Sequence, residues 1–237
     1  MELNTVMDIK SIIYPVAALS SMGLLFGILL AFASKIFAVD SDERLPRVLE
    51  ALPGANCGGC GYAGCSNYAS EVVSGNAKVN KCPVGGMKTA RKIAEIMGVA
   101  ADEQIRYVAH VYCRGGNNTK IKYKYKGIED CISASKLSGG PSECDYGCLG
   151  YGTCVGECQF GALSVKDGVA VVDREKCTAC KKCTAICPRH IIALVPYLSG
   201  VQVGCMSQDK GAATKSICGI GCVGCRICEK KCPAGAI

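Results

Sequence analysis

Residues 177–188 read CTACKKCTAICP, which sets Cys177, Cys180, Cys183 and Cys187 at spacings of two, two and three residues, with a proline immediately after. No other feature limits the possible folds so tightly. Three thiolates within seven residues wrap one small [4Fe–4S] cube, while the fourth, beyond a short turn, serves a neighbouring one. A zinc site more often takes two such thiols and a distant second pair, or recruits histidine. The chain has only His110 and His190, so the run is read as iron–sulfur ligation.

Twenty cysteines in 237 residues extend that reading along the chain. A secreted disulfide scaffold would be shorter, and thiols two or three residues apart are badly placed to bridge one another but well placed for metal. They require a reducing compartment. With no tryptophan and 6% aromatic residues, the conventional core is small, and bound cofactor must supply part of the folding free energy. The formal charge of +7 counts every thiol as neutral. Thiolate-bound cubes add negative charge, so the lysines form a local patch rather than a polycation for nucleic acid.

Three further groups accompany the first. Cys57, Cys60, Cys65 and Cys82 stand at spacings of two, four and sixteen, with five glycines between Pro53 and Cys65 that let the backbone fold round a cube. A helical piece over 66–73 would return the chain to Cys82. Cys144, Cys148, Cys154 and Cys158 precede the opening run by eighteen residues. Between them, Ala162–Val165, a turn at Asp167-Gly168 and Val169–Asp173 predict a β-hairpin. Four thiols, hairpin, four thiols predicts a two-cluster module whose cubes exchange fourth ligands. One cube takes Cys144, Cys148, Cys154 and Cys187, and the other Cys177, Cys180, Cys183 and Cys158. The first half departs from the pattern in its stretched spacings and in Gln159, which stands where proline is expected. Cys222, Cys225, Cys228 and Cys232-Pro233 repeat the signature, and Pro-Ala-Gly-Ala-Ile echoes Gln-Phe-Gly-Ala-Leu at 159–163. Either these four close one cube locally or, as we favour, a partner motif lies beyond Ile237. Cys113, Cys131, Cys205 and Cys218 remain, and the insertion carrying the last two can bring them to the first two as a shared cluster. At least three cubes are expected, and the cysteine count allows four or five.

Ile12–Ala33 is 22 residues without a charge, enough to cross a hydrocarbon layer. Its length, and Glu2 and Asp8 beside Lys10 ahead of it, argue for one transmembrane helix over a cleavable signal. Lys35, Arg44 and Arg47 after it place the body of the chain in the cytoplasm. Gly23, Gly27 and Ala31 make a small-residue stripe suited to another helix. Thr89–Gly98 predicts a packing helix through Ile93, Ile96 and Met97. In residues 120–126 lysine alternates with Ile121, Tyr123 and Tyr125, which predicts a strand with Lys120, Lys122, Lys124 and Lys126 on one face. That face is either a solvated edge or a docking strip for an acidic electron carrier.

The N-terminal anchor, then LPGANCGGCGYAGC with its distant Cys-Pro, then the later cysteine runs together resemble the B subunits of Rnf complexes. These are membrane-bound ferredoxin:NAD oxidoreductases that move Na⁺ or H⁺, and the likeness is to the clostridial form with extra cysteine motifs. The resemblance implies an α+β fold in five parts: a transmembrane helix (1–36), a small helical [4Fe–4S] domain (37–100), a linking segment with the lysine-rich strand (101–143), a two-cluster ferredoxin-like domain (144–200) and the start of a further ferredoxin-like motif (201–237). It implies a single-pass subunit of the inner membrane that accepts electrons from soluble ferredoxin. The cubes then relay them to membrane and peripheral partner subunits that carry the flavin and NAD⁺ chemistry. No GxGxxG follows a strand, and no catalytic site is complete in this chain alone. Two other readings stand beside this one: a membrane reductase that keeps an iron–sulfur transcription sensor reduced, and a metalloprotein in which the clusters are structural only.

Overall fold

The computed structural model describes residues 9–37 and 42–235. The chain divides into two compact units, Met1–Asp42 and Glu43–Ile237. In the first, α1 (Ile9–Ile36) is one helix of 28 residues. Its Ile13–Ile36 stretch has a mean hydropathy of 2.2, and none of it is buried by the rest of the chain. A helix satisfies every backbone polar group internally, as a hydrocarbon environment demands. It is longer than the apolar run, so Lys10 and Lys35 lie within it rather than beside it. Glu2 and Asp8 fall outside the described residues.

The second unit opens with three helices. The stretch around Arg44 and Arg47, expected as part of a charged link, is instead the head of α2 (Arg44–Ala51). Both arginines face solvent while Val48 is 0% exposed. With α3 (Cys65–Val73) and α4 (Gly86–Met97), it buries Val48, Leu52, Tyr68, Val72 and Ile93 in a small apolar core. Gly98, left-handed at φ 66°, ends α4 as a glycine cap. The buried Tyr68 hydroxyl donates to the Lys78 carbonyl at 2.8 Å and accepts from the Lys81 N–H at 3.2 Å. That pair of bonds pins the turn that delivers Cys82, and burial pushes the phenol up to about 12.

The rest of the unit comprises β1 (Tyr107–Val111), α5 (Cys131–Lys136), α6 (Thr153–Gly156), β2 (Leu163–Lys166), β3 (Val169–Val172), α7 (Lys182–Ile186), β4 (Ile192–Pro196), α8 (Gly211–Ile217) and α9 (Ile227–Lys230). The hairpin expected around Asp167-Gly168 is β2–β3. Its two turn residues are both left-handed, at φ 49° and 75°, the geometry that matches strand twist in a two-residue turn.

Residues 101–143 are not a link. β1 pairs antiparallel with β4, from Tyr107 opposite Pro196 to Val111 opposite Ile192, and it buries Val108, Ala109 and Val111. The lysine-rich stretch also differs from the expected strand. It makes two isolated bridges, Thr119 to Cys218 and Ile121 to Ser142. The Lys120 N–H bonds the Ile217 carbonyl, and the Lys122 N–H bonds that of Pro141. Each neighbour offers only a residue or two to pair with, so the chain past Ile121 is irregular. Lys120, Lys122, Lys124 and Lys126 are not arrayed as one strand face; Lys120 and Lys122 are pinned at these bridges, and the other two follow on the irregular stretch.

Candidate metal centres

The ligand loop owes its shape to two left-handed residues. Ala179 (φ 56°) and Lys181 (φ 68°) turn the backbone on either side of Cys180, and α7 begins directly after. The same turn recurs elsewhere. Gly152, Lys181 and Arg226, all left-handed, precede α6, α7 and α9. After Cys158, Cys187 and Cys232, the third residue on is again left-handed, and its N–H bonds the cysteine carbonyl at 3.2, 3.1 and 3.4 Å. The run Cys222–Cys232 thus adopts the backbone form of a ligand loop, with Gly224 and Arg226 in the roles of Ala179 and Lys181, and with Cys222, Cys225 and Cys228 exposed.

Three cavities in the second unit are each walled by four cysteines. Cys158, Cys177, Cys180 and Cys183 line one, the grouping expected from the spacing. Cys131, Cys148, Cys154 and Cys187 line another. Cys113, Cys144, Cys205 and Cys218 line the third. The last two groups correct the sequence reading: Cys144 does not join Cys148, Cys154 and Cys187, and Cys131 does not join Cys113, Cys205 and Cys218. The two cysteines exchange places.

The exchange has a local cause. Asp130 caps α5 by accepting from the N–H groups of Ile132 and Ser133, each at 2.8 Å, and the Ser133 side chain foremost, then these N–H groups, hold its carboxyl below the usual range. The Cys131 N–H then bonds the Thr153 hydroxyl at 2.7 Å, which seats Cys131 beside Cys154. Cys144 is carried the other way. The bridges of 119–121 to 142 and to 218 gather the 141–144 segment with Cys218, and the Ser142 hydroxyl accepts from the Cys144 N–H at 3.2 Å. No periodicity signals a partner so far along the chain.

Cys60, Cys65 and Cys82 are brought together on the three-helix core. Burial raises Cys82 foremost, with Cys60 and Cys65 adding to it. Cys57 opens the same loop, whose Gly58 carbonyl accepts from the Gly61 N–H at 2.9 Å. Asn56 binds the Cys65 N–H through its side-chain oxygen at 2.8 Å, closing the loop. This loop touches the next site, because a side chain at Gly59 would meet Pro83 Cγ at 3.0 Å and Cys180 Cα at 3.1 Å.

The donor sets suit cubes better than single ions. Among the described residues no three His, Cys, Asp or Glu side chains converge closely enough for one metal ion. Tetrahedral zinc at a Zn–S bond of about 2.3 Å would draw its thiolates to a point. Here sulfurs ring a space instead. Two buried polar atoms without a hydrogen-bond partner, Thr178 Oγ1 and Arg189 Nε, sit in residues that wall the Cys177 and Cys131 cavities respectively. Buried donors are rarely left unsatisfied, and the sulfides of an anionic cube would accept from both. Backbone donors already reach sulfur, from Ala109 to Cys177 at 3.3 Å, Ala162 to Cys158 at 3.3 Å and Gly85 to Cys82 at 3.4 Å. Such bonds tune a bound cluster's potential. Burial, then neighbouring cysteines, pushes Cys154 up to about 12 and Cys183 up to about 11. Iron binding must therefore displace protons from these thiols.

One strand orders the sites. Ala109 lines the Cys177 cavity and Val111 the Cys131 cavity, and Cys113 lies in the third. Alternate residues share a strand face, so β1 and the residue two beyond its end run past all three in turn.

Two family models match the chain: one described as "Putative Fe-S cluster" over residues 52–84, and a 4Fe-4S binding domain over residues 170–193. The B subunit of the ion-translocating oxidoreductase complex of Methanosarcina acetivorans is 45% identical over 228 residues, covering 95% of this chain and 86% of that protein. The B subunit of the Na⁺-translocating ferredoxin:NAD⁺ oxidoreductase complex of Acetobacterium woodii is 46% identical over 90% of this chain and 65% of its own length. Its counterpart in the proton-translocating ferredoxin:NAD⁺ oxidoreductase complex of Clostridium ljungdahlii is 39% identical over 90% of this chain and 76% of its own.

Proposed function

The chain belongs to the family of B subunits of ion-translocating oxidoreductase complexes, and from that premise we propose how its residues serve the complex. It is an electron-transfer subunit of a membrane-associated ferredoxin:NAD⁺ oxidoreductase that carries iron–sulfur clusters. In our reading, Cys57, Cys60, Cys65 and Cys82 hold one [4Fe–4S] cube, Cys158, Cys177, Cys180 and Cys183 a second, and Cys131, Cys148, Cys154 and Cys187 a third. Each bound cube supplies one-electron storage at a potential set by hydrogen bonds, charge and exposure. The chain's own residues fix the spacing and order of the sites, supply N–H donors to sulfur and exclude water from the buried thiolates. A soluble reduced ferredoxin is the donor and approaches over Lys120, Lys122, Lys124 and Lys126. The helix α1 anchors the chain as a single pass with the second unit in the cytoplasm.

The observation that carries this reading is the row of cysteine-walled cavities along one strand face, joined to the first cysteine loop through Gly59 and Cys180. Isolated metal staples need no such row. The test uses vesicles containing the whole complex, given reduced ferredoxin and NAD⁺. NADH formation with ion uptake is expected, and Cys183→Ala should abolish both. Zinc in place of iron in anaerobically purified complex would overturn the reading.

A further inference from the structure

We propose that a groove in the second unit receives an acidic, partly apolar segment of another subunit of the complex. This goes beyond the reading above, and it requires neither the order of the sites nor the metal in them. The groove holds about 670 Å³ and opens where the first cysteine loop meets the Cys177 loop. Lys81 and Met87 wall it from the three-helix part, Thr178 and Lys181 from the ligand loop, and Ile105 and Tyr107 from the stretch that starts β1.

Three observations carry the assignment. The first is uncovered apolar surface. Ile105 is 64% exposed and Tyr107 43%, and contiguous apolar surface left open in this way marks an interaction site. The second is unmatched positive charge. Among the described residues Lys81 and Lys181 are exposed and make no ion pair. Glu175 is the one carboxylate on the wall, and it is already engaged by Arg106 at 3.6 Å and by the Tyr197 hydroxyl. Arg106 is held in turn, stacked 4.0 Å over the Tyr197 ring and bonded to the carbonyls of Arg174 and Glu175. The two lysines are therefore left for carboxylates from outside. The third is the backbone at Lys181. It is left-handed at φ 68°, a conformation that glycine adopts freely and lysine does not. Arg226 stands at the same place in the last cysteine run, and Glu229, three residues on, answers its charge at 2.6 Å. The residue at that offset from Lys181 is Thr184. A strained lysine with no partner of its own is placed for one that arrives.

The apolar side chains decide the kind of partner. Transient redox encounters bury little surface, whereas lasting subunit contacts are larger and have apolar cores. An uncovered isoleucine and tyrosine therefore fit a subunit that stays rather than a soluble carrier that leaves. Cys177 and Thr178 line both this groove and the Cys177 cavity. The occupant would close the outer wall of that site against water.

The test places the photocrosslinker p-benzoylphenylalanine at Ile105 and, separately, at Gln104, which lines the same groove, in membranes that hold the whole complex. Irradiation should join either position to one other subunit, through a segment that mass spectrometry shows to carry two or more carboxylates. Lys81→Gln with Lys181→Gly removes both charges and relieves the left-handed strain. That pair should cut the yield about tenfold, with metal content per chain unchanged. Links only to lipid, or only to added ferredoxin, would overturn the inference. So would the absence of any protein link from both positions, or a yield indifferent to the two lysine changes.

Discussion

The backbone N–H of Cys148 donates to the sulfur of Cys113 at 3.3 Å. These residues are far apart in the chain and wall different cavities, so adjacent centres share a hydrogen bond rather than a layer of packed side chains. The Cys177 and Cys131 cavities also interact, since Cys183 is among the groups that raise Cys154, after burial. The row is thus a set of sites whose walls are held in common, and a change to one wall is felt on both of its sides.

Gly59 is the contact between the first cysteine loop and the next. Gly59→Val must push Pro83 or Cys180 aside, because even its first carbon would sit 3.0 Å and 3.1 Å from them. Iron content should stay at the wild-type level while electron transfer from the ferredoxin-like sites to the first loop slows, as followed by rapid-mixing spectroscopy. Wild-type rates would show that the contact lies off the path.

Arg189 places a positive charge on the wall of the Cys131 cavity, with its side chain 11% exposed. It also donates to the Asp145 and Gly139 carbonyls, tying the 139–145 loop to the turn after Cys187. A nearby cation favours the more negative, reduced cluster, so Arg189→Met should lower one midpoint potential. Arg189→Lys should restore part of the shift. A redox titration by EPR in which both variants match the wild type would show that the charge is screened.

Lys122 is paired with Asp145 at 3.1 Å, whereas Lys124 and Lys126 lie on the irregular stretch beyond it, and Lys120 just before. If ferredoxin is steered there, replacing Lys120, Lys124 and Lys126 by glutamine should slow its second-order reaction by about tenfold or more at low ionic strength. The difference should vanish when salt shortens the Debye length to about 3 Å at 1 M. Equal rates at low salt would move the docking surface elsewhere.

The two cores should fail differently. Ile93 is 0% exposed among Val48, Tyr68 and Val72, so Ile93→Ala should cost about 2–5 kcal/mol, read from denaturant unfolding. The core around β1 and β4 is built in part from Cys154 and Cys183. Its stability should depend on metal more steeply than that of α2–α4, whose buried cluster includes Cys82 as its one cysteine. Iron chelation should therefore expose the amides of β1 and β4 to hydrogen exchange before that of Ile93.

Residue spacing alone determined the short-range features of this protein. The Cys177–Cys187 loop, the β2–β3 hairpin turning at Asp167-Gly168, the helix that presents Ile93 and the apolar span in α1 are each settled within a few residues by backbone conformation or hydrophobic period. That Cys158 would lie near Cys177, Cys180 and Cys183, with which it lines one cavity, followed from the single hairpin that joins the two halves. The tertiary structure alone decided that β1 completes a sheet with β4, that Cys131 and Cys144 exchange sites, and that the sites stand in a row. The sheet is a five-residue ladder between distant segments, and the exchange turns on a few long-range contacts, Cys131 to Thr153 and the bridges of Thr119 to Cys218 and Ile121 to Ser142. A lone cysteine carries no periodicity that points to a partner across the fold. Only the packing of the whole unit selects which thiols share a cavity.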